Sequence, residues 1–247
     1  MFKRTRMILA LATLALCASA MTAYAGGLNF AWTNCYGEGS PVLNRNFACN
    51  TNTGTNIMVA SFIPTMTSDT VNGNEIVIDI QSQGATLPAW WQSKNVGTCR
   101  STSLSVSSTA NATWTNCQDE FFGQATSGIG AYNIGFGGAP NSARLIIAEA
   151  VPASALTHVD PSGEYFAINV ALNNAKTTGT GSCAGCTTPV CIVLTSIKIT
   201  AGGGSLDEFI SNAASNNYLT WQNITFGNCP ARPTIAPTWG AIRSLMR

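Results

Sequence analysis

Between Glu75 and Gln81 the chain alternates strictly, with Ile76, Ile78 and Ile80 on one parity and Val77 and Asp79 on the other. A period of two places the three isoleucines on one face of an extended strand. A helix would repeat its apolar positions every three or four residues. Comparable short apolar runs recur at 57–63, 103–107, 131–136, 144–151, 165–173, 190–200 and 218–222, separated by Gly, Asn, Ser and Thr. Short strands at such spacing predict an all-β chain folded as a single β-sandwich of jelly-roll type. Asn72-Gly73 is a tight-turn signal, so the runs at 57–63 and 75–81 are expected to pair as a hairpin or as neighbours. Helical patterning is sparse: within the sandwich 206–214 is expected to form a short helical turn, and the chain is expected to end in a short helical tail.

Composition narrows the function classes. Charged residues make up 9% of the 247, with 12 Lys and Arg against 11 Asp and Glu, while 45% are hydrophobic. This balance excludes charge-driven disorder, a long coiled coil and a basic nucleic-acid-binding face. No nucleic-acid partner is therefore expected.

The first 25 residues read as a secretory signal. Lys3, Arg4 and Arg6 precede an almost wholly apolar run from Met7 to Ala20, and Ala23-Tyr24-Ala25 supplies small residues for cleavage. The apolar run is shorter than the ~20 residues of a membrane span, and no later segment resembles one. Leu16 before Cys17 argues against a lipid anchor. Removing Lys3, Arg4 and Arg6 leaves nine basic against eleven acidic residues, a nearly neutral product with no electrostatic pull towards phosphate or anionic lipid. The expected organisation is a signal peptide over 1–25, the sandwich over 26–229, and a proline-containing linker with a short amphipathic tail over 230–247. The expected location is extracellular or at the cell envelope.

Eight cysteines follow the signal: Cys35, Cys49, Cys99, Cys117, Cys183, Cys186, Cys191 and Cys229. An even number in an exported chain implies a disulfide framework, whose connectivity spacing alone does not fix. Local order predicts Cys35–Cys49 and Cys99–Cys117, with Cys191–Cys229 as a long link among the remainder. Cys183-Ala184-Gly185-Cys186 also has the form of a redox or zinc motif. Its flanks of Gly, Ser, Thr and Pro are loop-like, whereas a redox pair opens a helix and zinc sites present two close pairs, so structural bridges are expected. Trp32-Thr33-Asn34-Cys35 recurs as Trp114-Thr115-Asn116-Cys117, but the flanks differ and no repeat is inferred.

The tail carries Trp239, Ile242 and Leu245 at helical spacing after Thr238, which caps such a turn. So short a helix must dock, and its own sandwich is the expected surface, with an external partner as the alternative. Leu28-Asn29-Phe30-Ala31-Trp32, Phe47-Ala48-Cys49-Asn50, Asn74 through Asp79, Leu87-Pro88-Ala89-Trp90-Trp91 and Thr238-Trp239-Gly240-Ala241-Ile242-Arg243 together resemble a group of uncharacterised secreted bacterial proteins. That resemblance spans most of the mature chain and implies no activity or ligand.

Chemistry is thinly signalled. The lone histidine, His158, lies in a polar stretch with Asp160 two residues on, and no Gly-x-Ser-x-Gly elbow accompanies it. Asp69 to Glu75 holds oxygen ligands but lacks the spacing of a calcium-binding EF-hand loop. No metal and no cofactor are expected. Trp90 and Trp91 beside Gln92 offer the best binding hint, because neighbouring strand residues face opposite ways and an exposed indole beside an amide stacks on sugar rings, although large aromatics more often plug the ends of a sandwich, and that is the favoured reading of the pair. The leading expectation is a binding or structural protein for polysaccharide or an envelope component, with no oligomeric state assigned. The alternative is a secreted glycoside hydrolase using paired carboxylates from a set that includes Asp79, Asp119, Glu120, Glu149 and Glu164, with Asp119, Glu120 and Glu149 foremost.

Overall fold

The computed structural model describes residues 26–94, 97–203 and 205–222. The expected signal peptide, Cys17, Cys229 and the tail residues Trp239, Ile242 and Leu245 lie outside the described residues. Thirteen strands follow in order: β1 (Gly27–Trp32), β2 (Asn44–Arg45), β3 (Thr55–Ile63), β4 (Ser68–Ser82), β5 (Leu104–Ser107), β6 (Cys117–Gln118), β7 (Thr126–Ile134), β8 (Ser142–Ala150), β9 (Thr157–Val159), β10 (Glu164–Asn173), β11 (Val190–Ala201), β12 (Glu208–Ile210) and β13 (Tyr218–Trp221). No helix among the described residues is long and apolar enough to cross a membrane.

Two sheets share one core. The smaller runs β1-β3-β10-β5 with β6 added beside β10, and the larger runs β2-β13-β11-β4-β8-β7 with β9 on β4 and β12 on β11. The isoleucine alternation does what the period requires. Ile76, Ile78 and Ile80 of β4 face inward and lie opposite Ile147, Leu145 and Ala143 of β8. On the other flank, β11 slips its register between Leu194 and Ser196. That bulge lets Ile192 and Leu194 before it, and Ile197 and Ile199 after it, all reach the core.

Three expectations fail here. The runs at 57–63 and 75–81 do not pair, since β3 lies between β1 and β10 while β4 belongs to the other sheet. Asn72-Gly73 is not a turn but lies inside β4, where a side chain at Gly73 would meet the Glu149 carbonyl at 2.5 Å. Glycine is needed there for close strand approach, the second reason a strand carries one. The predicted helical turn at 206–214 is instead β12, held by pairing of Glu208–Ile210 against β11.

One side of the sandwich is sealed by backbone bonds between the sheets. Leu28 and Phe30 donate to the Asn212 and Asn216 carbonyls, and Ala214 donates back to Leu28. This satisfies the outer edge of β1, which would otherwise present unpaired groups.

The disulfides correct the sequence expectation. Cys35 bonds Cys117, Cys49 bonds Cys186 and Cys99 bonds Cys183. Cys191 is also disulfide-bonded, and its expected partner Cys229 lies outside the described residues. Local pairing fails because extended segments carry sequence neighbours apart, while the sandwich brings distant loops together. Separations of 82, 137 and 84 residues correspond to roughly 4–5 kcal/mol each in the chain-entropy account of cross-linking. Cys183 and Cys186 bond different partners, so the motif is neither a redox pair nor a metal site. The two Trp-Thr-Asn-Cys segments meet each other through Cys35–Cys117.

Candidate functional site

The tryptophans predicted to bind ligand are interior. Trp90 is 0% exposed and Trp91 1%. They join Trp221 in a three-ring contact with centroid separations of 5.1, 4.8 and 5.3 Å, and Phe47 stacks on Trp221 at 4.0 Å. The Trp90 indole donates to Thr177 Oγ1 and that of Trp221 to the Cys186 carbonyl. Arg100, itself buried, lies 3.5 Å over the Trp90 ring and donates to the Trp90 and Asn173 carbonyls. Burial lowers its pKa to about 10. Gln92 is half-buried and donates to the Leu87 carbonyl. None of the three residues offers a sugar platform: the binding hint falls away, and the favoured reading, that both tryptophans plug the sandwich, is the one their burial supports.

The carboxylates proposed for a hydrolase divide. Asp79 sits on the outer face of β4 in a bidentate pair with Arg144, whose Nε and Nη2 both lie 2.8 Å from its oxygens. Asp119 caps a tight turn, accepting from the Phe121 and Gly123 amides. Glu120 and Glu149 do converge. Asn74 Nδ2 donates to Glu120 Oε1 at 2.9 Å and to Glu149 Oε2 at 3.0 Å. Burial, then the Glu149 charge, pushes the Glu120 carboxyl well up, and burial lifts Glu149 to about 8. The two acids are 3% and 4% exposed, so no glycoside enters between them, and the paired-carboxylate expectation fails at this position.

An accessible acid lies elsewhere. On the outer face of the smaller sheet, Asn29 of β1 stands opposite Ser61 of β3. Both donate to one oxygen of Glu164 at the start of β10, Ser61 Oγ at 2.5 Å and Asn29 Nδ2 at 3.1 Å. Burial raises the Glu164 pKa against these donors and against the Gly37 amide. Gly37 leaves room for that carboxylate: a Cβ there would stand 2.4 Å from Glu164 Oε2 and displace it. The next residue, Glu38, accepts the consecutive amides of Thr115, Asn116 and Cys117 at 2.8, 2.6 and 2.9 Å. Slight burial opposes ionisation of Glu38, but those backbone donors outweigh it and lower its pKa. This latch and the Cys35–Cys117 bridge fix the 115–118 segment over the sheet.

Between them lies a pocket of about 380 Å³, lined by Gly37, Ile63, Thr115, Asn116, Gln118, Ser162, Gly163 and Glu164. Its wall is tied to the lone histidine. Asp160 accepts from the Ser162 amide and hydroxyl, and His158 Nε2 lies 3.2 Å from Asp160 while Nδ1 lies 2.5 Å from Asp69. A carboxylate at each ring nitrogen favours the doubly protonated imidazole, and the Asp69 contact, then the Asp160 contact, raises the His158 pKa. The Asp69–Glu75 stretch is thus strand and histidine partner, not an ion-binding loop. Cys35, Cys117 and Glu164 also cluster, but both sulfurs are taken by their shared bridge.

Sequence reasoning missed this pocket because its residues come from four separated segments and no motif joins them. The repeated Trp-Thr-Asn-Cys was the one available signal, since its two cysteines frame the site. It also missed Phe122, 79% exposed at φ 51° on the turn that Asp119 caps. In comparisons with known proteins, no family model matches the chain and no curated protein matches it.

Proposed function

We propose that the protein is exported and acts at or outside the cell envelope as a binding protein for carbohydrate, using the Glu164 pocket in place of the buried tryptophans. The observation that carries this reading is the lining, whose residues bear amides (Asn116, Gln118), hydroxyls (Thr115, Ser162) and a carboxyl group (Glu164). Sugar hydroxyls both donate and accept, so they suit a wall that mixes acceptor-only carboxylate with amides and hydroxyls. Gly37 and Gly163 add no side chain to the space between these groups. The signal-like leader and a disulfide framework support export, because such bridges persist in oxidising compartments.

The test is co-sedimentation of the mature protein with insoluble polysaccharides and cell envelope, joined to NMR titration with soluble oligosaccharides. Saturable binding weakened at least tenfold in Gln118→Ala and Glu164→Gln is the expected result. Absence of binding to every glycan, or binding indifferent to both substitutions, overturns the reading.

The hydrolase alternative rests on one observation: Glu164 is held up and neighbouring Glu38 held down, the pattern by which one fold separates acid from base. Turnover of a bound glycan, lost in Glu164→Gln while binding persists, would select it.

A further inference from the structure

Glu120 and Glu149 pose a problem of charge. Glu149 of β8 is the register partner of Asn74 of β4, and both point into the core beside the Ile147–Ile76 pair. Glu120 arrives from the turn after β6, on the opposite sheet. Three oxygen-bearing side chains from both layers therefore meet inside the sandwich. No ion pair among the described residues includes either acid. Two carboxylates in a dry interior cannot stay charged and unpaired, so something neutralises them.

Two oxygens point to what that is. Glu120 Oε2 and Asn74 Oδ1 are fully buried and receive no hydrogen bond. Asn74 is 2% exposed, and its amide lies wedged between the two carboxyl groups. A half-turn about its terminal bond exchanges nitrogen for oxygen and presents Oδ1 to both acids at the same 2.9 and 3.0 Å. Neighbouring oxygens around a calcium ion, each about 2.3–2.6 Å from the metal, stand about 3 Å apart. A cation satisfies acceptor-only oxygens that no donor reaches.

We propose that Glu120, Glu149 and Asn74 form a buried calcium site that ties the two sheets together. The donors are all oxygen, which excludes the nitrogen and sulfur preference of zinc. Two carboxylates balance a dication, whereas sodium would leave one charge unmatched. Magnesium holds its waters in a strict octahedron, while calcium accepts bidentate carboxylates in irregular geometry. Both glutamates in bidentate form and the Asn74 carbonyl give five oxygens, and a water carried in with the ion completes the shell.

The experiment uses the mature chain stripped with EDTA, titrated with calcium chloride by calorimetry, with thermal unfolding followed in parallel. Saturable one-to-one binding is expected, with Tm raised by about 5–10 °C at a hundredfold excess over Kd. Glu120→Gln and Glu149→Gln preserve shape and are each expected to abolish the calcium-induced shift, and their unfolding in EDTA reports that they fold. Glu75→Gln, exposed on the opposite face of β4, should leave the shift intact. A wild-type Tm indifferent to calcium overturns the proposal and leaves protons as the neutralising species. A shift retained in both glutamine variants places the ion elsewhere and overturns it equally.

Discussion

The two ends of β4 solve opposite problems. At Ser82 the strand meets Val190 of β11, which pairs in turn with Trp221, and the core there is aromatic and closed by loops that Cys49–Cys186 and Cys99–Cys183 pin. At Asn74, eight residues and roughly 26 Å away, the same inward face carries an amide between two buried acids. The first end buries one cation, Arg100, against a ring face and carbonyl oxygens. The second buries two carboxyl groups with no ion pair to either among the described residues. An aromatic surface and carbonyl dipoles stabilise a guanidinium in place, whereas clustered carboxylates repel and need a proton or a metal ion. Structural rigidity therefore concentrates at the Ser82 end, and sensitivity to solution conditions at the Asn74 end.

The sharpest way to break that contrast is to remove a staple. Cys49→Ser with Cys186→Ser is expected to cost about 4–5 kcal/mol, read as a lower denaturant midpoint. Trp221→Ala, which removes the ring shared by Trp90, Trp91 and Phe47, should cost about 3–5 kcal/mol and show the same dependence on pH as the parent. If Trp221→Ala instead altered the pH profile, the two ends would be coupled.

At the acidic end the expectation has a sign. Glu149 titrates near 8 in the folded chain against an ordinary value of 4.5. With metal chelated, its contribution is therefore fully present below about pH 4.5 and lost as pH rises towards 8. Glu149→Gln should match the parent near pH 4 and exceed it at pH 8 by a margin on the order of 3–5 kcal/mol. Urea unfolding at the two pH values measures it, and parallel curves would show that the carboxyl is already neutralised by other means.

Smallest is the surface clip. The raised His158 pKa means that its contacts with Asp69 and Asp160 stabilise below about pH 6.5 and fade as pH climbs through the folded value. His158→Gln should change Tm by no more than about 2 °C, only on the acid side, with NMR titration of the imidazole as the direct check.

The sequence carried the strands and little of their arrangement. Apolar periodicity located β3, β4, β8, β10 and β11, because burying one face imposes a period of two on any strand. It missed β1, where Gly27 to Trp32 is buried throughout and shows no alternation. It also missed β12, whose three residues are too few to show a period. Asn72-Gly73 misled because glycine serves tight turns and close strand contacts equally. The tryptophans left two readings open for a related reason, since an indole gives the same letter whether it faces sugar or core.

What the sequence by itself determined is therefore local: an all-β chain, a charge-poor composition, and cysteines in number to staple it. Only the tertiary structure decided which cysteines bond, which acids are buried and which line a pocket. Each of those depends on segments that lie far apart in the chain, up to 137 residues for Cys49 and Cys186. Strand periodicity reports which way a side chain faces, but the choice of neighbour across the sandwich is made by sheet order and register, which no local pattern encodes.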